Sequence, residues 1–108
     1  MPYNYLGTTF NPDSLSYKDV LYAYSKGYFP LGDDDGLISW FNHIPRAVLP
    51  LEKNYLKISR SLKQVVKKQT FKVLVDQDFY TVIYQCSRLH GDTWITNEII
   101  RLYLELFN

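Results

Sequence analysis

The 108-residue chain has one cysteine, Cys86, no apolar run approaching a membrane span, and no acidic side chain anywhere from Lys53 to Lys72. A single cysteine excludes an internal disulfide and a multi-cysteine zinc site, and it suits a reducing compartment. A bilayer-spanning helix needs about 20 consecutive apolar residues, so no transmembrane segment and no membrane partner are expected. The first ten residues show neither a basic leader nor the apolar core of a signal peptide, and a soluble cytoplasmic protein is the expectation. Histidine is scarce: His43 and His90 have no second ligand at metal spacing and no nucleophile motif beside them, and both read as surface or loop residues. The acids Asp33, Asp34 and Asp35 lack the alternate spacing and distal Glu of a calcium loop. A glycine-rich phosphate loop is also missing. No metal, no cofactor and no catalytic residue is therefore assigned from the residues.

What is present is apolar and aromatic. Hydrophobic residues make up 46% of the chain, with ten Tyr and six Phe, which is too much apolar surface for a disordered tail. Most of these rings are expected to pack a core with their hydroxyls at the surface; the alternative is that some line a site for flat or apolar ligands. The charges, 12 basic against 11 acidic, nearly cancel in sum but not in place. Seven bases (Lys53, Lys57, Arg60, Lys63, Lys67, Lys68, Lys72) share one segment, leaving five bases and 11 acids on the other 88 residues. The formal +1 is thus the sum of +7 and −6.

Along the chain, residues 1–15 read as extended and rich in turn formers. Ser16 and Asp19 form a capping-box pattern that starts a helix over 17–26, with Gly27 as its left-handed stop. A turn over 32–36 and short strands over 37–41 and 47–49 follow, closed by Pro50. A second helix runs from about 59 to 68, with Ile58, Leu62, Val65 and Val66 on a face expected to be buried and Arg60, Lys63 and Lys67 opposite. Alternation over 71–76 predicts a strand. Asp78 is the expected cap of a third helix to residue 88, with Phe79, Val82, Ile83 and a buried Cys86 facing inward. Thr96 caps a fourth over 97–107, whose apolar face is Ile99, Ile100, Tyr103, Leu104 and Phe107. The fold class is α+β. The one candidate boundary lies near residues 50–53, which divides the chain into 1–51 and 52–108. The 71–76 segment is expected either to pair with the early strands or to have its neighbours beyond residue 108, where the bare apolar stripe of the last helix also points; a second copy of the chain covering both is a further alternative.

Two features carry a functional reading. Arg60, Lys63 and Lys67 recur at i, i+3 and i+7 with Lys57, Lys68 and Lys72 nearby, a row able to follow a phosphate backbone; the alternative is a solvated face neutralised by acids elsewhere. Trp94 sits in Gly91-Asp92-Thr93-Trp94-Ile95-Thr96 between a glycine turn and a helix cap, where a ring can stack a base or plug the core. Trp40, in Ile38-Ser39-Trp40-Phe41, is explained by a half-buried strand.

Several strings resemble one family in order and spacing: Lys26-Gly27-Tyr28-Phe29-Pro30, Trp40, Pro45-Arg46-Ala47-Val48-Leu49-Pro50, Ile58-Ser59-Arg60-Ser61-Leu62, Phe71-Lys72-Val73, Val75-Asp76 and the Trp94 string. On these the chain is similar to the leucyl/phenylalanyl-tRNA-protein transferases over about residues 15–107. The resemblance implies a bacterial cytoplasmic enzyme of the N-end rule pathway that moves Leu or Phe from aminoacyl-tRNA onto proteins beginning with Arg or Lys, with no cofactor. It implies that Trp94 helps hold the aminoacyl-adenosine and that Arg60, Lys67 and Lys68 grip the tRNA body, with Lys63 an added charge on that face. Where the family usually has a tryptophan after its Phe-Pro, this chain has Leu31, so weaker tRNA-end affinity is expected. The resemblance also implies a small N-terminal domain followed by the opening of an acetyltransferase-like (GNAT) domain. Family members are about twice as long, and the acidic catalytic residue and much of the aminoacyl pocket lie in the part not represented. The chain alone is expected to be inactive; the alternatives are a tRNA-binding remnant, half of a split enzyme, or a homodimer.

Overall fold

The computed structural model describes residues 3–89 and 91–108; the expectation for His90 therefore lies outside the described residues. The chain is mixed α/β. In order it runs through strand β1 (Tyr3–Thr9), helix α1 (Tyr17–Ser25), strands β2 (Phe29–Gly32) and β3 (Ile38–His43), and helices α2 (Arg60–Lys67), α3 (Phe79–Arg88) and α4 (Asn97–Phe107), with single 3₁₀ turns at Pro12–Ser14 and Lys53–Tyr55. It resolves into two compact units, one of Met1–Pro45 with Asp78–Asn108 and one of Arg46–Gln77. The boundary read from the sequence near Leu51 falls inside the second of these.

In the first unit the strands form an antiparallel sheet in the order β1-β3-β2. Alternation in β3 turns Ile38 and Trp40 into the core, where they meet Val20 and Ala23 of α1 and Ile99 and Leu102 of α4. Trp40 also donates its indole N–H to Thr9 Oγ1 at 3.0 Å, which ties the ring to β1. The capping box of α1 forms as expected: Asp19 accepts from the Ser16 amide at 2.8 Å, and Gly27 takes φ +85° just beyond the helix. Thr96 caps α4. Arg101 anchors that helix by donating to the Pro12 carbonyl at 2.8 Å, the Leu15 carbonyl at 3.3 Å and Glu105 at 2.9 Å, while Glu105 accepts the Tyr17 amide at 3.1 Å.

Two strands were not legible in the sequence. β1 is irregular, its register slipping by one residue between Tyr5 and Gly7 so that Leu6 is left unpaired. β2 contains Pro30, which lacks an amide donor and is tolerated because β2 lies at an edge of the sheet.

Five expectations are corrected. Residues 47–49 are not a strand; Pro45 and Pro50 close in on them and remove amide donors. Residues 71–76 are not a strand either, because no described strand offers their backbone a partner, and Gln69 and Asp76, both at positive φ, turn the chain at either side. α2 forms with Ser59 as its cap, but it buries no residue, and every side chain from 44 to 78 is exposed. Cys86 is exposed, as is Val82, because the inner face of α3 lines an open cleft instead of a closed core. In α4 the buried set is Ile99, Ile100 and Leu102, with Leu102 missing from the expected face and Phe107 half-exposed against the Phe79 ring.

Candidate functional site

The segment after α3 is positioned by a close backbone approach. The Gly32 amide donates to the Trp94 carbonyl at 3.0 Å. A Cβ on Gly32 would lie 2.4 Å from Thr96 Oγ1 and 2.8 Å from that carbonyl, so only glycine lets the end of β2 meet the start of α4. Thr93 Oγ1 accepts the Ile95 amide at 3.0 Å and fixes the corner from the other side. Leu31 and Trp94 are in consequence carried on hydrogen-bonded stretches of chain, Leu31 half-buried on β2 and Trp94 with 45% of its surface exposed.

Trp94 lines two clefts. One, about 200 Å³, is wholly apolar and lies between α3 and α4, bounded by Phe79, Val82, Ile83, Ile99 and Tyr103. The other, about 270 Å³, runs past Cys86, Leu89, Asp92 and Thr93. The Tyr103 hydroxyl meets that of Tyr24, and burial, followed by this contact, pushes its pKa above the ordinary tyrosine value. The acidic turn lies close to the same corner: Asp33 and Asp34 line a polar cleft of about 420 Å³ with Thr93 and Glu98. Asp33 spends its carboxylate on the Asp35 and Leu37 amides, at 3.0 and 2.9 Å, which closes the β2–β3 hairpin. Among the described residues no three His, Cys, Asp or Glu side chains are grouped as a metal site requires. A wider cavity of about 570 Å³ lies elsewhere in this unit, against Leu15, Tyr22, Tyr28 and Trp40.

The second unit carries the cations. Residues 46–77 hold eight basic and two acidic side chains, a net +6, while the rest of the chain holds four and nine, a net −5. Ser59 Oγ accepts the Leu62 amide at 3.2 Å and starts α2, on which Arg60, Lys63 and Lys67 share one face; Lys68 follows as the C-cap. All four are exposed, and among the described residues none of the seven cations from Lys53 to Lys72 makes an ion pair.

The residues singled out in the sequence thus fall into two groups on two units: Leu31 with Trp94, and Arg60, Lys63, Lys67 and Lys68. Sequence reasoning missed the role of Gly32 in joining the end of β2 to the Trp94 corner, since one glycine before an acidic turn carries no signal of close approach. It also took the α3 face for core, because an open cleft and a filled core share the same apolar spacing.

A family model described as leucyl/phenylalanyl-tRNA protein transferase matches residues 48–108, and one described as the N-terminal domain of that transferase matches residues 13–42. A curated leucyl/phenylalanyl-tRNA–protein transferase of Prosthecochloris aestuarii is 42% identical over 96 residues, covering 85% of this chain and 48% of the relative. The protein of that name from Herpetosiphon aurantiacus is 37% identical over 92 residues, with 85% and 47% covered. That from Salinibacter ruber is 42% identical over 96 residues, with 88% and 41% covered. The chain spans under half the length of these relatives. No solved structure gives a significant match.

Proposed function

Because the chain belongs to the leucyl/phenylalanyl-tRNA protein transferase family, we propose that it binds aminoacyl-tRNA and serves the transfer of Leu or Phe to acceptor proteins that begin with Arg or Lys, as in the N-end rule pathway. In that reaction the acceptor's α-amino nitrogen attacks the ester carbonyl; a C–N bond forms, the bond to the ribose oxygen breaks, and the amine proton passes to the departing ribose oxygen. The ester is already activated, so no cofactor is part of the proposal. Arg60, Lys63, Lys67 and Lys68 hold the tRNA body through phosphate contacts. Trp94 and Leu31 hold the aminoacyl-adenosine end, Trp94 by stacking and Leu31 by apolar contact.

The observation that carries this reading is the group of seven exposed cations that, among the described residues, make no ion pair, in the segment the family model matches. Mutual repulsion along α2 is relieved by an anionic partner, and a polyphosphate ligand supplies one. A second reading, binding without transfer, is favoured by coverage, since these 108 residues correspond to under half of each relative. Transfer of radiolabelled Leu from charged tRNA to an N-terminal Arg peptide by this chain alone would exclude that second reading. The division into 1–51 and 52–108, the opening of an acetyltransferase-like domain in the latter, and a cytoplasmic setting belong to the same proposal.

The tRNA interface is tested by the salt dependence of binding. Each phosphate contact contributes about 0.7 to 0.9 to the slope of log affinity against log salt, so Lys67→Ala with Lys68→Ala is expected to flatten it by about 1.5. An unchanged slope would mean that this face is merely solvated.

A further inference from the structure

Trp40 and Trp94 are held in different ways. The Trp40 ring is tied through its own indole N–H to Thr9 Oγ1 at 3.0 Å, and the residue is buried. Among the described residues the Trp94 indole N–H has no such partner. What fixes Trp94 is its backbone. Thr93 Oγ1 accepts the Ile95 amide at 3.0 Å, a bond that spans Trp94 and closes a turn with that residue at its centre. The Trp94 carbonyl accepts the Gly32 amide at 3.0 Å, and Thr96 caps α4 immediately beyond the turn. A tryptophan ring hangs on few rotatable bonds, so freedom removed from its backbone becomes direction given to the ring. These bonds lie wholly within the described residues and do not depend on what else is brought against the ring.

We propose that Thr93 is a positioning residue for the aminoacyl-adenosine end: its hydroxyl presets the turn that carries Trp94, so that the ring meets the adenosine already ordered. The inference rests on the reading that Trp94 stacks that end of the tRNA. Stacking yields affinity only where it exceeds the cost of ordering the groups that make it. A ring on a loose loop loses its freedom at the moment of binding, whereas a ring on a closed turn has lost it on folding. Thr93 also lines the polar cleft beside Asp33 and Asp34, which makes direct contact with the ligand the competing role. Substitution separates the two. Ser closes the same turn through its hydroxyl and Asn closes it through its side-chain carbonyl, while Val keeps the shape of Thr without an acceptor. Asn reproduces the turn but not the hydroxyl that a contact role would require.

The test measures binding of a non-hydrolysable aminoacyl-adenosine analogue and of uncharged tRNA to the 108-residue chain and its variants. Thr93→Val is expected to weaken the analogue about 5- to 30-fold, the factor that ordering one residue's backbone supplies, and to leave uncharged tRNA binding unchanged. Thr93→Ser and Thr93→Asn are expected to bind the analogue as the parent does. Time-resolved fluorescence anisotropy gives a readout without ligand, because iodide quenches the exposed Trp94 and spares the buried Trp40. The iodide-quenchable emission of Thr93→Val should gain a fast local depolarisation that the Ser and Asn variants lack. A Thr93→Val chain that binds the analogue like the parent would overturn the proposal and leave the stacking role of Trp94 standing. A parent chain with no affinity for the analogue would remove the stacking role itself, and the proposal with it. A folded Thr93→Asn chain that loses analogue binding would make Thr93 a ligand contact and overturn the positioning role, even where Thr93→Val fails to fold.

Discussion

Replacing Gly32 by Ala isolates the contact that joins β2 to the Trp94 corner. The added Cβ would sit 2.6 Å from Thr96 Cγ2, 2.4 Å from Thr96 Oγ1 and 2.8 Å from the Trp94 carbonyl. Carbon atoms pack best at about 3.5 to 4.0 Å, so Thr96 must retreat by about 1 Å. It cannot do so freely: its Oγ1 caps α4, and the Trp94 carbonyl is backbone held by the Gly32 amide itself. Overpacking of this kind costs about 1 to 3 kcal/mol and a lost cap about 1 kcal/mol. A combined loss of at least about 2 kcal/mol should lower the midpoint of thermal unfolding by at least about 8 °C for a domain of this size. Both tryptophans, Trp40 and Trp94, lie in the unit that contains Gly32, so their fluorescence follows its unfolding directly. Gly7→Ala is the matched control, because a Cβ there meets nothing within 4 Å; its midpoint should hold or rise slightly. A Gly32→Ala protein that unfolds at the parent temperature would refute the reasoning.

Three further outcomes are expected. Trp94→Ala should reduce affinity for a non-hydrolysable aminoacyl-adenosine analogue by about 1 to 3 kcal/mol while sparing binding of uncharged tRNA; equal losses in both would make the ring a structural plug. Arg101→Met removes donors to two backbone carbonyls and to Glu105, and chemical denaturation should show a loss of about 1 to 3 kcal/mol. Tyr103 holds its proton more tightly folded than unfolded, so its contribution is complete below the ordinary tyrosine pKa of about 10 and is lost as pH rises beyond it. Thermal scans of Tyr103→Phe should therefore show a shallower alkaline loss of stability than the parent.

Local chemistry accounts for the elements that were legible. Ser16 with Asp19, Ser59 and Thr96 each satisfy amides at the start of a helix, and such bonds depend only on residues two or three positions away. Helices α1, α2 and α4 were readable within a residue or two for that reason. The strands divide differently. β3 announces itself by alternation, whereas β1 carries a slipped register and β2 a proline, and both exist because β3 lies between them to supply partners. Residues 71–76 show the converse: Phe71, Val73 and Val75 alternate as a strand should, but no described strand meets them and they stay exposed.

The candidate site follows the same division. Sequence alone determined the separation of charge, the family strings and the position of Trp94 at a helix cap, since these are properties of composition and near neighbours. Only the tertiary structure decided that Gly32 binds Leu31's strand to Trp94's carbonyl, that the face of α3 opens into a cleft, and that these 108 residues leave the stripe on α2 uncovered. Periodicity records which side chains share a face. Whether that face is covered depends on what the rest of the chain brings against it, and no spacing within one element contains that information.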